Sequence, residues 1–139
     1  MGKEVKFSKD DEKKLRDLSV SALVLFGSRA QGIARKNSDY DIGVLVSNRT
    51  VLEDKKERKN FYDSLYDILS ASIAKIANID IVFLEKMPAE LKAHVIKNGQ
   101  LIYGDPLAFA NFKEKEMITY ADFAPLREIF QKAALARIT

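Results

Sequence analysis

The chain has 139 residues, close to the usual size of one compact domain, and its 47% hydrophobic residues can supply one core. It has no cysteine, which excludes disulfides and thiolate metal sites and suits a reducing compartment, so we expect a cytoplasmic protein. A net charge of +3 is too small for a dedicated duplex binder, and no apolar run is long enough to span a membrane, so neither nucleic acid nor a membrane is an expected partner.

The first third of the chain predicts a helix, a buried strand and a sharp turn. The helix is expected from Lys9 to Leu18, with Ser8 as its N-cap. The apolar run at Ser21–Phe26 is typical of a buried strand, and Gly27 ends it. A short helix from Ser28 to about Ala34 is expected to come next.

The rest of the chain alternates between apolar runs typical of strands and apolar residues at helical spacing. In order, we predict a strand at Tyr40–Val46, a helix at Leu52–Ile76, a strand at Ile79–Leu84, a helix at Pro88–Lys97 stopped by Asn98-Gly99, a strand at Gln100–Tyr103, and a helical segment from Pro106 to Thr139 interrupted at Pro125. This alternation predicts a single α/β (α+β) domain over residues 1–139, with a small sheet whose strand directions the pattern leaves open.

The turn at Gly27-Ser28 lies where a buried strand meets a predicted helix. Glycine permits unusual backbone angles, and the N–H groups of a helix N-terminus after such a turn can bind phosphate. A simple capped turn explains the dipeptide equally well. A Walker A loop is excluded because no Gly-Lys-Ser/Thr follows, and the dinucleotide fingerprint is excluded because this turn offers only Gly27 and Gly32.

Two acids lead into the second predicted strand. Because side chains alternate along a strand, Asp39 and Asp41 should project to one face, with Cα atoms roughly 6–7 Å apart, and Tyr40 should pack on the other. Two such carboxylates repel each other and destabilise the fold unless a cation or hydrogen-bond donors offset them. Water at an exposed strand start can also solvate them.

Asp80 is a third acid, placed in the apolar strand around Ile79 and Ile81. A carboxylate there is unusual for a core strand, and if the two strands are neighbours it can converge with Asp39 and Asp41. Carboxylate oxygens at this density suit Mg²⁺, and two such ions can activate an attacking oxygen and stabilise a leaving pyrophosphate. We therefore treat the three acids as a candidate metal site.

The combined pattern resembles a known family. Gly27-Ser28, followed after ten residues by Asp39-x-Asp41 and later by Asp80, resembles the polymerase-beta-like nucleotidyltransferase superfamily. The segments GSRAQG and SDYDIGVLV are similar to its minimal nucleotidyltransferase (MNT) branch, and the resemblance covers about Val20–Leu84. It implies a minimal nucleotidyltransferase fold, in which helices flank a small mixed sheet.

The resemblance also implies a nucleotide site. Gly27 and Ser28 would bind the triphosphate of ATP, and Arg29 and Ser38 would lie among the nucleotide-binding residues. Many MNT proteins have arginine where this chain has Gln31, and this departure concerns phosphate affinity or partner choice.

The same resemblance implies catalytic roles for the acids. Asp39 and Asp41 would be ligands of two Mg²⁺ ions, and Asp80 would complete the site as a further ligand or as the base on the acceptor hydroxyl. The implied reaction is attack of the acceptor hydroxyl on the α-phosphorus of ATP, with loss of pyrophosphate.

MNT proteins are often antitoxins whose partner is a HEPN-domain ribonuclease. The resemblance therefore implies that this protein adds AMP to a tyrosine of a HEPN toxin. Three alternatives stay open: an antitoxin that acts by binding alone, a nucleotidyltransferase acting on a small molecule or an RNA end, and a regulatory module that binds ATP without turnover.

The C-terminal segment, residues 106–139, carries more apolar residues than a final helix usually needs. They are Phe109, Phe112, Tyr120, Phe123, Leu126 and Phe130. We hypothesise that part of Phe123–Ile138 binds a partner chain or a second copy of the protein.

Overall fold

The computed structural model describes residues 5–27, 30, 32, 39–73 and 78–122, with 119–122 described by their backbone alone. Its elements are, in order, α1 (Lys9–Asp17), β1 (Val20–Phe26), β2 (Tyr40–Val46), α2 (Thr50–Glu53), α3 (Lys55–Ser72), β3 (Ile79–Phe83), a 3₁₀ turn (Leu84–Lys86), α4 (Ala89–Asn98), β4 (Gln100–Gly104) and α5 (Pro106–Asp122). Each of the four predicted strands is observed within one residue of its expected bounds. None of the helices in the described part of the chain is both long and apolar enough to cross a bilayer.

The four described strands form one mixed sheet in the order β3-β2-β1-β4. Strand β1 runs antiparallel to both β2 and β4, whereas β2 and β3 are parallel. A parallel pair needs a long crossover, and α2 and α3 provide it between β2 and β3. The expected small mixed sheet flanked by helices is confirmed, and the structure supplies the strand directions.

Alternating side chains place the core on both faces of the sheet. On the face that we call the α3 face, Tyr40, Ile42 and Val44 pack in one apolar cluster with Leu15 of α1 and Leu65 of α3. On the opposite face, which we call the α4 face, residues of β1 and β2 pack with α4, α5 and the 3₁₀ turn. This second cluster comprises Ala22, Val24, Leu45, Leu84, Met87, Val95, Phe109 and Phe112.

Helix α1 begins as its sequence predicts. The Ser8 hydroxyl accepts a hydrogen bond from the Asp11 N–H at 3.0 Å, and the Asp11 carboxylate accepts one from the Ser8 N–H at 3.2 Å. This reciprocal capping box satisfies two N–H groups that the first helical turn leaves free. The hydrogen bond from the Ser8 backbone N–H to the Asp11 carboxylate is the largest cause of the lowered pKa of Asp11.

The predicted single helix at Leu52–Ile76 is wrong at both ends. The structure has two helices here, α2 and α3, and the second ends at Ser72. Asp54 has extended backbone angles, and its carboxylate accepts hydrogen bonds from the N–H groups of Lys56 and Glu57 at 2.9 and 3.4 Å. Asp54 therefore ends α2 and caps α3. Helix α3 ends at Ser72, since Ile73 is extended and forms a bridge with Val5; residues 74–76 of the prediction lie outside the described residues.

Helix α4 ends at Asn98, as the Asn98-Gly99 pair predicts, but for a different reason. Gly99 has φ −66°, an angle open to any residue, so the left-handed stop expected of a glycine is not used. A Cβ at this position would lie 2.5 Å from the Val95 carbonyl oxygen and 2.7 Å from a methyl carbon of Val24. Glycine is required here because α4 meets the sheet too closely for a side chain.

Candidate active site

Two of the predicted acids lie side by side at one end of the sheet. In the parallel register of β2 and β3, Asp41 is paired with Asp80, and the Tyr40 N–H donates to the Asn78 carbonyl at 2.8 Å. Paired residues on neighbouring strands have Cα atoms about 4.8 Å apart. The condition on which the predicted cluster depends, that the two strands are neighbours, is confirmed.

Because side chains alternate along β2, the acids lie on the opposite face of the sheet from the core residue between them. Tyr40 is fully buried on the α3 face, as predicted, and Asp41 lies on the α4 face with Leu45. Asp41 is partly buried, whereas Asp80 and Asp39 are exposed, Asp39 being the residue immediately before β2. The acids therefore form an edge of the α4 face that is open to solvent.

The charges of the other two acids act on Asp41. Burial raises the pKa of Asp41, and the negative charges of Asp80 and Asp39 raise it further. This is the repulsion that two or more carboxylates produce when they share a site. A bound cation would relieve it and would hold Asp41 in its charged form.

Gly27 makes room for the Asp41 carboxylate. It follows β1 with φ +75°, in the left-handed region that favours glycine, and the preceding residue, Phe26, is paired with Asp41. A Cβ on Gly27 would overlap Oδ2 of Asp41 and lie 3.2 Å from its Cγ. The sequence predicted the unusual backbone angle but not this close approach.

The remaining predicted nucleotide-binding residues, Ser28, Arg29 and Ser38, lie outside the described part of the chain. Gln31 and most of the short helix expected up to Ala34 also lie outside it. Within this stretch, Ala30 is buried, and its carbonyl accepts a hydrogen bond from the Gln100 side-chain amide at 2.6 Å. Gln100, which the sequence did not single out, thus ties the loop after β1 to strand β4.

A second residue that the sequence did not single out is Tyr62 of α3. Burial raises the pKa of its phenol, and the negative charge of Asp80 is the next largest cause. Nothing in the helical pattern of α3 distinguishes Tyr62 from an ordinary packing residue.

The acids present fit a magnesium ion bound together with a triphosphate. No group of three or more acidic or histidine side chains within the described residues is arranged to hold a metal ion by itself. Proteins usually bind Mg²⁺ through one or two carboxylates and leave the other positions to water and substrate phosphates. The adjacent Asp41 and Asp80 form such a partial set of hard oxygen ligands.

A cavity of about 690 Å³ lies elsewhere on the α4 face. Its lining includes Val46, at the opposite end of β2 from Asp41, and Lys92 and Glu116, which form an ion pair at 3.1 Å. None of the acids predicted for catalysis lines it. We therefore place the candidate active site at the acids and not in this cavity.

Comparison with known proteins identifies the family of the chain. Residues 12–106, well over half of the chain, match the family model described as polymerase beta nucleotidyltransferase. No curated protein shows significant similarity to the chain.

Solved structures share the fold at low sequence identity. A toxin–antitoxin complex with AMP-PNP aligns with a TM-score of 0.61 and 24% identity over 92% of this chain and 99% of that one. The MntA–HepT toxin–antitoxin complex aligns with a TM-score of 0.53 and 21% identity, over 92% and 99% of the two chains. A Shewanella oneidensis complex of a tri-AMPylated HEPN toxin with an MNT antitoxin aligns with a TM-score of 0.53 and 20% identity, over 91% of this chain and 98% of that one.

The family match spans β1, β2 and β3, and it therefore includes Gly27 and all three acids. The chain belongs to the polymerase beta nucleotidyltransferase family.

Proposed function

We propose that this protein transfers AMP from ATP to a hydroxyl of a partner protein in a Mg²⁺-dependent reaction, and that it acts in this way as an antitoxin. The observation that carries the proposal is the register that pairs Asp41 with Asp80, with the charge of Asp39 acting on the same group. A protein that only binds its partner has no need of a carboxylate cluster that opposes its own ionisation.

We assign Asp39, Asp41 and Asp80 to the metal ions and Gly27 and Ser28 to the triphosphate. Bound Mg²⁺ would supply positive charge against the triphosphate and the carboxylates. Asp41 is held in place by the β1–β2 ladder on one side and by β3 on the other. Positioning of this kind provides much of the rate enhancement in phosphoryl and nucleotidyl transfer.

The chemical step that we propose is a single in-line displacement. The acceptor oxygen forms a bond to the α-phosphorus of ATP, and the bond from that phosphorus to the bridging oxygen of the β-phosphate breaks. The acceptor hydroxyl loses its proton, and pyrophosphate leaves with the electron pair. Asp80 is exposed on the edge strand β3, where an acceptor can approach it, so it can take the proton or serve as a metal ligand.

The partner that we propose is a HEPN-domain toxin, modified on a tyrosine. Support comes from the structures that share the fold over nearly their whole length, which are toxin–antitoxin complexes, one of them with a tri-AMPylated HEPN toxin. The proposed nucleotide is ATP, consistent with AMP-PNP in one of these complexes.

The test uses purified protein, Mg²⁺ and a lysate of the source cell, with ATP labelled on the α-phosphate and, in parallel, on the γ-phosphate. We expect an α-labelled protein band that is absent with γ label and absent with Asp39→Asn. Asp67→Asn, a change at an exposed acid on α3, should label like the wild type. The labelled band can then be excised to identify the acceptor and the modified residue.

Two outcomes would contradict the proposal. Equal labelling by wild type and the Asp39→Asn, Asp41→Asn double variant would remove the acids from catalysis. No α-labelled protein in a lysate that contains the toxin in its unmodified form would favour an antitoxin that acts by binding alone. Labelled RNA or small molecules in place of protein would move the assignment to another acceptor class.

A further inference from the structure

Gln100, the first residue of β4, lies beside the end of β1. It is paired with Leu25, two residues before Gly27, and its side chain is half-buried. Leu25 belongs to the apolar cluster of the α3 face, and paired residues of antiparallel strands project to the same face. The Gln100 side chain therefore lies on the α3 face, at the end of the sheet where β1 ends and β2 begins.

Phe26 and Ala30, on either side of the turn after β1, pack on opposite faces of the sheet. Phe26 packs against the cluster of the α4 face, whereas Ala30, 6% exposed, is buried in the cluster of the α3 face. There the Gln100 side-chain amide donates a hydrogen bond to the Ala30 carbonyl at 2.6 Å, across 70 residues of sequence. The carbonyl of a buried residue needs a partner of this kind, because water reaches it poorly.

The other end of the same turn lies at the active site. Gly27 has φ +75°, and the Asp41 carboxylate occupies the space where its Cβ would lie. Phe26, immediately before it, is paired with Asp41. The turn is therefore in contact with an acid of the candidate active site at Gly27 and is bonded to Gln100 at Ala30. Ser28, which we assign to the triphosphate, lies between these two points in the sequence.

We propose that Gln100 is a positioning residue for triphosphate binding: by fixing Ala30, it holds the turn at Gly27 in the orientation in which its backbone N–H groups bind phosphate. This inference rests on the proposed function, because it requires that the turn binds the triphosphate of ATP. Backbone N–H groups bind an anion well only when they are already oriented toward it, so a displaced turn weakens nucleotide binding. Gln100 itself does not have to contact the nucleotide.

The acids are held in place independently of Gln100. Asp41 and Asp80 are paired across β2 and β3, whereas β4 lies at the other edge of the sheet. Loss of the Gln100 bond should therefore raise the KM for ATP much more than it lowers kcat. A residue that only stabilised the fold would change neither constant in the folded enzyme.

Two variants remove the hydrogen-bond donor in different ways. Gln100→Glu keeps the shape of the side chain but replaces the NH₂ donor with a carboxylate oxygen, which repels the Ala30 carbonyl. Gln100→Met has a similar length, carries no charge and cannot donate a hydrogen bond. Asn60→Asp is the matched control, since it makes the same amide-to-carboxylate change at an exposed position of α3.

The experiment compares wild type with these three variants. Isothermal titration calorimetry with Mg²⁺ and a non-hydrolysable ATP analogue gives the Kd of the analogue. Transfer assays with the acceptor protein identified by α-labelling give kcat and the KM for ATP. NMR spectra report the amide resonances of Gly27 and Ala30, and thermal unfolding gives the temperature range in which each variant is folded.

For both Gln100 variants we expect a Kd for the analogue and a KM for ATP about tenfold above wild type, with kcat within about threefold and shifted Gly27 and Ala30 resonances. Asn60→Asp should match the wild type. Wild-type Kd and KM in folded Gln100→Met would overturn the positioning role alone, as would a lower kcat with unchanged KM. A wild type that neither binds the analogue nor transfers AMP would overturn the proposed function, and the positioning role with it.

Discussion

At the scale of single residues, the site depends on a close contact between Gly27 and Asp41. The chain turns at Gly27 with a positive φ, and the space where a Cβ would lie is filled by the Asp41 carboxylate. Gly32 has almost the same angle, φ +74°, but a Cβ there would have open space around it. A comparison of substitutions at the two glycines therefore distinguishes the effect of backbone strain from the effect of crowding the Asp41 carboxylate.

We expect Gly27→Ala to abolish transfer and Gly32→Ala to retain most of it. Both variants should lose about 1–2 kcal/mol of stability, because alanine is strained at a positive φ. Only Gly27→Ala also displaces the Asp41 carboxylate. Urea denaturation and the transfer assay measure the two effects, and equal activity of the variants would show that the contact with Asp41 is unimportant.

A second prediction at this scale concerns the charge of Asp41. Its pKa in the folded protein is raised above the ordinary value, so ionisation of Asp41 destabilises the metal-free fold at neutral pH. We expect Asp41→Asn, which cannot ionise, to be more stable than wild type at pH 7 without metal. As the pH falls through the folded pKa toward 3.8, wild-type Asp41 takes up its proton and this advantage should shrink.

Denaturant unfolding at pH 7 and pH 4 checks the sign of this difference. Addition of Mg²⁺ with an ATP analogue should make the wild type more stable than Asp41→Asn at pH 7, since the wild type alone gains a bound cation at Asp41. A variant less stable than wild type at pH 7 without metal would contradict the assigned repulsion.

At the scale of secondary structure, Asp54 decides where one helix ends and the next begins. The apolar spacing predicted one helix across this position, and periodicity alone gives no reason for a break there. A carboxylate that accepts two backbone N–H groups stabilises a helix start more than a helix interior. Val51 and Leu52 of α2 are buried in the same apolar cluster as Val46, at the end of β2.

We expect Asp54→Ala to lower the free energy of unfolding by about 1 kcal/mol, the usual loss for a helix N-cap. Asp67→Ala, a change at an exposed acid within the same helix, should stay within about 0.5 kcal/mol of wild type. Thermal and denaturant unfolding of the two variants measure the difference. Indistinguishable stabilities would mean that the Asp54 bonds contribute nothing and that another feature causes the break.

At the scale of the whole molecule, the buried residues in the described part of the chain end at Phe112, before the end of α5. The described members of both apolar clusters lie at or before Phe112 in the chain. Further along α5, Ile118 is 59% exposed, and it lies three helical turns from Leu107, which is 61% exposed. These two exposed apolar residues lie on one outward face of α5, and the segment 123–139, for which we hypothesise an interface, follows this helix in the sequence.

We expect a chain that ends at Asp122 to stay folded and to lose assembly with its partner or with a second copy. Circular dichroism should show cooperative unfolding close to that of the full chain, because every residue described as buried is retained. Light scattering and co-purification with the HEPN toxin test assembly. Unchanged assembly of the shortened chain would refute a binding role for Phe123–Ile138.

The sequence by itself determined most of the elements of this protein and supplied the hypothesis for the chemistry of its site. Strand and helix periods, the Ser8 cap and the position of Gly27 all depend on neighbours within a few residues, which is why they can be predicted from local pattern. The same holds for the family motif, since Gly27, Asp39 and Asp41 lie close together along the chain. Asp80 was predicted as a member of the cluster on the condition that its strand lies beside β2.

Only the tertiary structure decided whether that condition holds. The pairing of Asp41 with Asp80 and the space that Gly27 leaves for the carboxylate join residues from different elements. Gly99 is a further case, because its neighbour Val24 belongs to another strand. Such contacts arise from how sheet and helices pack, and periodicity along the chain carries no information about register between distant strands.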